Sequence, residues 1–138
     1  MRLDLYQAET ERLGREQSAM LDEARTKLQA GRPLSPLEQS GVLHALQVLI
    51  ENAIGKAKHM LKAADEPVPV SAYDAFASLA RMGNIPAEEL TEWNNAIGIR
   101  NRIVHDYMNI DMNVILDIVR GAKYRFVAVF LSLPVKRA

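Results

Sequence analysis

The stretch from Val42 to Leu61 is apolar on too many sides to be a surface helix. Val42, Leu43, Leu46, Leu49, Ile50, Ala53, Ile54, Ala57, Met60 and Leu61 recur at helical spacing yet cover more than one face. Such a helix needs neighbours on several sides, so the chain has to be a bundle built around it. Its start is written in Ser35-Pro36-Leu37-Glu38. Ser35 can cap the free amides, Pro36 suits the first helical position, and Glu38 can complete a capping box. The spacing carries this helix to about Leu61 or Ala64.

The flanking segments are helical too, and no stretch alternates as a strand would. Leu3, Tyr6, Leu13, Met20, Leu21, Ala24 and Leu28 form a sparse stripe from about Leu3 to Gln29, stopped by Gly31-Arg32-Pro33. Asp65-Glu66-Pro67-Val68-Pro69 reads as a stiff connector, since neither side of it could bury its own core. Ser71 starts a third helix with Tyr73, Phe76, Leu79, Ala80 and Met82 as buried candidates, ended by Gly83-Asn84. Pro86 opens a fourth, with Glu88 and Glu89 in its first turn, running through Trp93 and Ile97 toward His105. Asp111 caps a last helix holding Val114, Ile115, Ile118, Val119, Phe126, Val127 and Phe130. About five helices with short connections predict an all-α, mostly antiparallel bundle, a single domain over residues 1–138.

Composition removes several kinds of chemistry. There is no cysteine, which excludes disulfides, thiolate catalysis and Cys-based zinc sites. Histidines at 44, 59 and 105 lack zinc spacing, so no metal site is expected. No phosphate-binding glycine loop or nucleophile elbow is present. Met1-Arg2-Leu3-Asp4 leads into a charged amphipathic stretch rather than a signal sequence, and the apolar runs are too short for a bilayer, so a cytoplasmic protein without membrane contact is expected. Seventeen basic residues balance seventeen acidic ones, so contact with nucleic acid needs a local basic patch.

One residue sits badly in this scheme. Trp93, Ile97 and Val104 share a face of the fourth helix, and Arg100 falls among them, with Tyr107 continuing the line. An arginine in an apolar stripe is costly unless it is paired or reaches water. Either it snorkels out or pairs with an acid such as Glu51, or the face is the wall of a cleft or of a subunit interface. His105 lies five residues on, roughly 140° around an ideal helix. The two meet only if the helix ends or bends near His105, or if a two-fold dimer completes the groove.

The octapeptide Arg100-Asn101-Arg102-Ile103-Val104-His105-Asp106-Tyr107 resembles the Arg-x4-His signature of HEPN-domain proteins. Its extended form, Arg-x4-His-x-Tyr, looks like the HepT-like branch. Leu46 to Leu61 with Glu51, Tyr73-Asp74-Ala75-Phe76, Gly83-Asn84-Ile85-Pro86 and Asn109-Ile110-Asp111 extend the likeness over about Leu37 to Phe130. The resemblance implies a HEPN four-helix-bundle type fold, a homodimer or higher oligomer, and a ribonuclease toxin that needs neither metal nor cofactor. It implies Arg100 and His105 as catalytic, Asn101 as assisting, and Glu51 and Arg102 as support. The substrate would be tRNA or mRNA. The partner would be a minimal nucleotidyltransferase (MNT) antitoxin that modifies Tyr107 with AMP.

These residue types fit that chemistry. RNA brings its own nucleophile in the 2′-hydroxyl, so a protein need only move protons and stabilise the phosphate. His105 can exchange protons near neutral pH, and Arg100 offers planar donors to phosphate oxygens. Other readings stay open: a non-catalytic substrate-binding subunit of a nucleotidyltransferase, or a structural helical dimer. Among weaker signals, Lys56, Lys58, His59 and Lys62 read as a solvated basic helix end, His44 as a packing residue, and Lys123, Arg125, Lys136 and Arg137 as a solvated face and tail.

Overall fold

The computed structural model describes residues 3–135. Lys136 and Arg137, the far end of the basic tail, lie outside the described residues. Six α-helices form: α1 (Leu3–Gln29), α2 (Pro36–Ala63), α3 (Ala72–Arg81), α4 (Leu90–His105), α5 (Met112–Arg120) and α6 (Arg125–Ser132). No strand occurs among the described residues. The expected centre is the real one. α2 packs against α1, α3, α4 and α6, and Leu49, Ala53, Ala57 and Leu61 on it are wholly buried. Its capping box is complete: Glu38 N–H donates to Ser35 Oγ at 3.1 Å, and Ser35 N–H donates to Glu38 Oε1 at 2.9 Å.

Four helices end the same way. In each, the residue after the cap adopts positive φ: Gly31 at 75°, Asp65 at 57°, Gly83 at 78° and Ala122 at 53°. The next amide then reaches back to a carbonyl five residues earlier, as Arg32 does to Lys27, Glu66 to Leu61, Asn84 to Leu79 and Lys123 to Ile118. This Schellman closure satisfies carbonyls that the helix itself leaves free. At Ala122 it divides the single last helix expected from the sequence into α5 and α6. Tertiary contacts drive that break. Tyr124 is 2% exposed and donates its hydroxyl to Asp22 on α1, while Arg25 of α1 donates to the Arg120 carbonyl at 3.0 Å. A straight helix would carry one of these partners away from α1.

Beneath α4 lies an aromatic cluster. Trp93 stacks on Phe76 with ring centres 4.2 Å apart and meets Phe126 and Phe130 edge-on. The N-terminal half of α4 is thereby clamped to α3 and α6, and its C-terminal half projects toward the end of the bundle.

Five sequence expectations need correction. Val104 is exposed and Ile103 is buried instead: Val104 stays in line with Trp93, and toward the end of α4 it is the side carrying Ile103 that meets the core. Tyr73 is 41% exposed, since the buried face of α3 is Ala75, Phe76, Ser78 and Leu79. His44 is exposed, between the buried positions Leu43 and Ala45 that face the core. His59 is half-buried and packs against the Tyr6 ring at 4.2 Å. Lys56 departs furthest from a solvated basic end: it is 0% exposed. Its ammonium donates to the carbonyls of Phe130, at 2.6 Å, and Leu133, and lies 5.2 Å from the centre of the Phe130 ring. A lysine from α2 thus binds the C-terminal carbonyls at the end of α6, that of Leu133 and that of Phe130, which also accepts from the Leu133 amide. Burial pushes its pKa down to about 8, against the pull of Glu11 from α1.

Candidate active site

α4 ends at His105, and its position there is set by local chemistry. Asp106 takes a non-helical conformation (φ −143°, ψ 40°), and a short 3-10 turn follows at Tyr107–Asn109. Asn109 Nδ2 donates to Asp106 Oδ1 at 2.7 Å, pinning the turn. Tyr107 therefore does not continue the face of Arg100, as the sequence spacing had it. It leaves the helix with its ring half exposed, beside a Met108 that is 91% exposed.

Arg100 is paired and still reaches water. Its Nε and Nη2 donate to Glu51 Oε2 at 3.2 and 3.0 Å, and its Nη1 donates to Asn101 Oδ1 at 3.0 Å. The pairing with Glu51 is the one expected from sequence, yet the arginine side chain keeps 27% of its exposure. These bonds use three of the five guanidinium N–H groups, leaving two for an incoming acceptor. Glu51 itself accepts at Oε1 from Gln47 at 3.4 Å. The guanidinium is held from α2 on one side and from its own helix on the other.

His105 is exposed, and its imidazole has no hydrogen-bond partner among the described residues. Arg102 is exposed and pairs with no carboxylate there. It sits in the last turn of α4, where the negative end of the helix dipole favours a cation. Asn101 bridges the arrangement, half-buried, with its carbonyl oxygen on Arg100 and its amide nitrogen free. The structure thus gathers Glu51, Arg100 and Asn101 into one hydrogen-bonded group, with Arg102, His105 and Tyr107 exposed on the adjoining turns. Arg100 and His105 leave the helix in directions roughly 140° apart.

A polar stripe escaped the sequence reading. Gly98, Asn101, Arg102 and His105 stand at i, i+3, i+4 and i+7, on a face of α4 turned away from Trp93 and Ile97. The signal was present in the spacing, but the apolar stripe holding Arg100 took precedence. On the far side of α4, a groove of about 420 Å³ lies over α2, walled by Leu46, Ile50, Ala96, Ile99, Ile118 and Phe126. It runs up to the residue before Arg100.

Among the described residues, no three His, Asp or Glu side chains converge as a metal-binding group would. None of their helices is long and apolar enough to cross a membrane.

Known proteins share sequence and fold with this chain. The mRNA nuclease HepT of Shewanella oneidensis is 28% identical over 82 residues, which cover 59% of this chain and 62% of that protein. The match therefore spans less than two thirds of the relative's length. The fold recurs in a tri-AMPylated Shewanella oneidensis HEPN toxin solved in complex with MNT antitoxin. The TM-score is 0.77 at 18% identity, over 91% of this chain and 96% of that one. A toxin–antitoxin structure with AMP-PNP matches at a TM-score of 0.76 and 17% identity, over 91% of this chain and 97% of the other. The family model described as "Ribonuclease HepT-like" matches residues 15–131, so the chain belongs to the HepT-like ribonuclease family.

Proposed function

We propose that this protein is an endoribonuclease toxin that cuts RNA without a metal ion, and that an MNT-type antitoxin silences it by attaching AMP to Tyr107. The observation that carries the proposal is the state of the motif: a guanidinium pre-held by Glu51 and Asn101 with donors to spare, and an imidazole left open to water. A purely structural salt bridge would not need the second.

In the reaction, the 2′-oxygen attacks the adjacent phosphorus and the 5′-oxygen leaves, giving a 2′,3′-cyclic phosphate and a 5′-hydroxyl. Neutral His105 takes the 2′-proton, or in its charged form supplies a proton to the departing 5′-oxygen. Arg100 donates to the non-bridging oxygens as charge builds on them. Asn101 fixes Arg100 and offers its free amide, and Arg102 adds the local positive charge that the neutral chain otherwise lacks. All of these groups are cationic or neutral, which suits an anionic phosphate with no metal between. A two-fold dimer that brings the C-terminal ends of two α4 helices together would put two copies of the motif near each other, one histidine as base and its mate as acid.

The modification has a matching physical logic. Tyr107 offers its hydroxyl from an exposed turn. Transfer of AMP from ATP would form the Tyr107 O–P bond, release pyrophosphate and place an anion beside the basic cluster, against incoming RNA. Related molecules support this reading: one is a curated mRNA nuclease, and another carries AMP in complex with an MNT antitoxin.

The test is cleavage of tRNA and mRNA by the purified protein in chelator. The wild type should cut and His105→Ala should not. Activity lost in chelator and restored by a divalent cation would remove the metal-free claim. Equal cutting by Arg100→Ala and His105→Ala would remove the assignment altogether. Incubation with the antitoxin and ATP should add AMP to the wild type and not to Tyr107→Phe.

A further inference from the structure

We propose that Tyr73 is a stacking platform for a nucleobase of the RNA, one or two nucleotides from the bond that is cut. The inference rests on the ribonuclease reading above and adds a substrate contact from a helix outside the motif.

Tyr73 stands off the buried face of α3 and is 41% exposed, an unusual place for an aromatic ring in this otherwise well-filled bundle. It leans on α4 at one point. Its hydroxyl is the nearest atom to the place a Cβ would occupy on Gly98, at 3.8 Å, and nothing else crowds that glycine. A Cβ there would already be in van der Waals contact with the hydroxyl, so a longer side chain on Gly98 would press on the ring.

Gly98 begins the polar stripe that continues through Asn101 and Arg102 to His105. Gly98 and His105 lie about two turns apart, so the whole stripe is about 10 Å long. A single strand laid along it, with a phosphate at His105 and Arg102, brings a neighbouring base to the level of Gly98. The ring waiting there is partly open to solvent. Stacking of a base on an aromatic ring is tolerant of sequence and adds to affinity. The platform therefore serves binding and register, while proton transfer stays with the motif.

The experiment uses the intact protein and short RNAs in which one abasic nucleotide is walked away from the cut. For the wild type, KM should rise about tenfold at one position within two nucleotides of the cut, with kcat nearly unchanged. Tyr73→Leu should show the same rise on intact RNA and lose the response to the abasic position. Tyr73→Phe and Tyr73→Trp should restore both. Gly98→Leu, whose side chain would lift the ring, should behave like Tyr73→Leu. Thermal unfolding near the wild-type temperature identifies the variants that are folded.

Wild-type KM in Tyr73→Leu, with His105→Ala inactive, overturns the platform and leaves the nuclease reading intact. Unchanged cleavage with weakened antitoxin binding also overturns it, marking Tyr73 as a protein contact. If the wild type cuts no RNA, the nuclease reading fails and the platform fails with it.

Discussion

Replacing Glu51 with glutamine tests whether Arg100 is held ready or merely anchored. Oε2 of Glu51 takes both bonds from Arg100 across α2 and α4, and glutamine keeps the shape while removing the charge. An unrestrained arginine side chain carries about 2 kcal/mol of rotamer entropy. If Glu51 removes that freedom before RNA arrives, its loss moves up to this amount into the barrier, roughly 30-fold in kcat/KM. The loss should appear in kcat, because removing an anion from beside the phosphate favours RNA binding and lowers KM. Arg100→Ala deletes the donors themselves and should cost roughly 100- to 1,000-fold. Stability should hardly respond. The two side chains are 27% and 37% exposed, and ion pairs of that kind contribute about 1 kcal/mol or less. Steady-state cleavage and thermal unfolding on the same preparations separate the two effects. Wild-type kcat in Glu51→Gln would refute preorganisation. A fall in Tm beyond about 10 °C would show that the pair is chiefly structural.

Further outcomes concern the bundle. Ala122→Gly should stabilise it by up to about 1 kcal/mol in urea unfolding, because glycine accepts the left-handed conformation that alanine holds under strain; an unchanged or lower midpoint would contradict the strain. Ser35→Ala should cost about 1 kcal/mol through loss of the α2 cap. Glu38, held down to about 2 by Lys27 and the Ser35 amide, should lend stability that is complete above its unfolded value and lost as pH falls from about 4.5 to 2. Acid titration of Glu38→Gln should lack that component. Lys56→Ala should destabilise by about 2–4 kcal/mol by opening a cavity and stranding the Leu133 carbonyl, with Lys56→Met much milder. The Lys56 pKa is lower folded than unfolded, so its contribution to stability should rise as pH climbs from about 8 toward 10.5, and this rise should be absent in Lys56→Met. A neutral amine still has N–H groups for both carbonyls.

What could be read from the sequence was local. The starts at Ser35, Ser71 and Asp111 were legible because each cap bonds to an amide two or three residues away. The pairing of Arg100 with Glu51 was legible as one option, because an arginine in an apolar stripe has to pair with an acid or reach water. Lys56 was not, since its acceptors lie 74 and 77 residues further along the chain and no spacing reports them. The break at Ala122 was hidden for a related reason. Glycine is one position early, at 121, and packing of Tyr124 on α1 forces alanine into the turn. At the site, the motif itself was visible. The end of α4 near His105 was open from the sequence, but the departure of Tyr107 from the face of Arg100 was not legible, because Asp106 is no helix breaker by type and ends the helix through its own backbone geometry.

The 3-10 turn at Tyr107–Asn109 has no buried residue. A group attached there would displace no core atom and disturb no helix end, so a silenced molecule would melt like an active one. Switching of that sort works by occupancy and leaves folding alone. The restrained pool stays intact, and the speed of its return is set only by how fast the attached group is taken off.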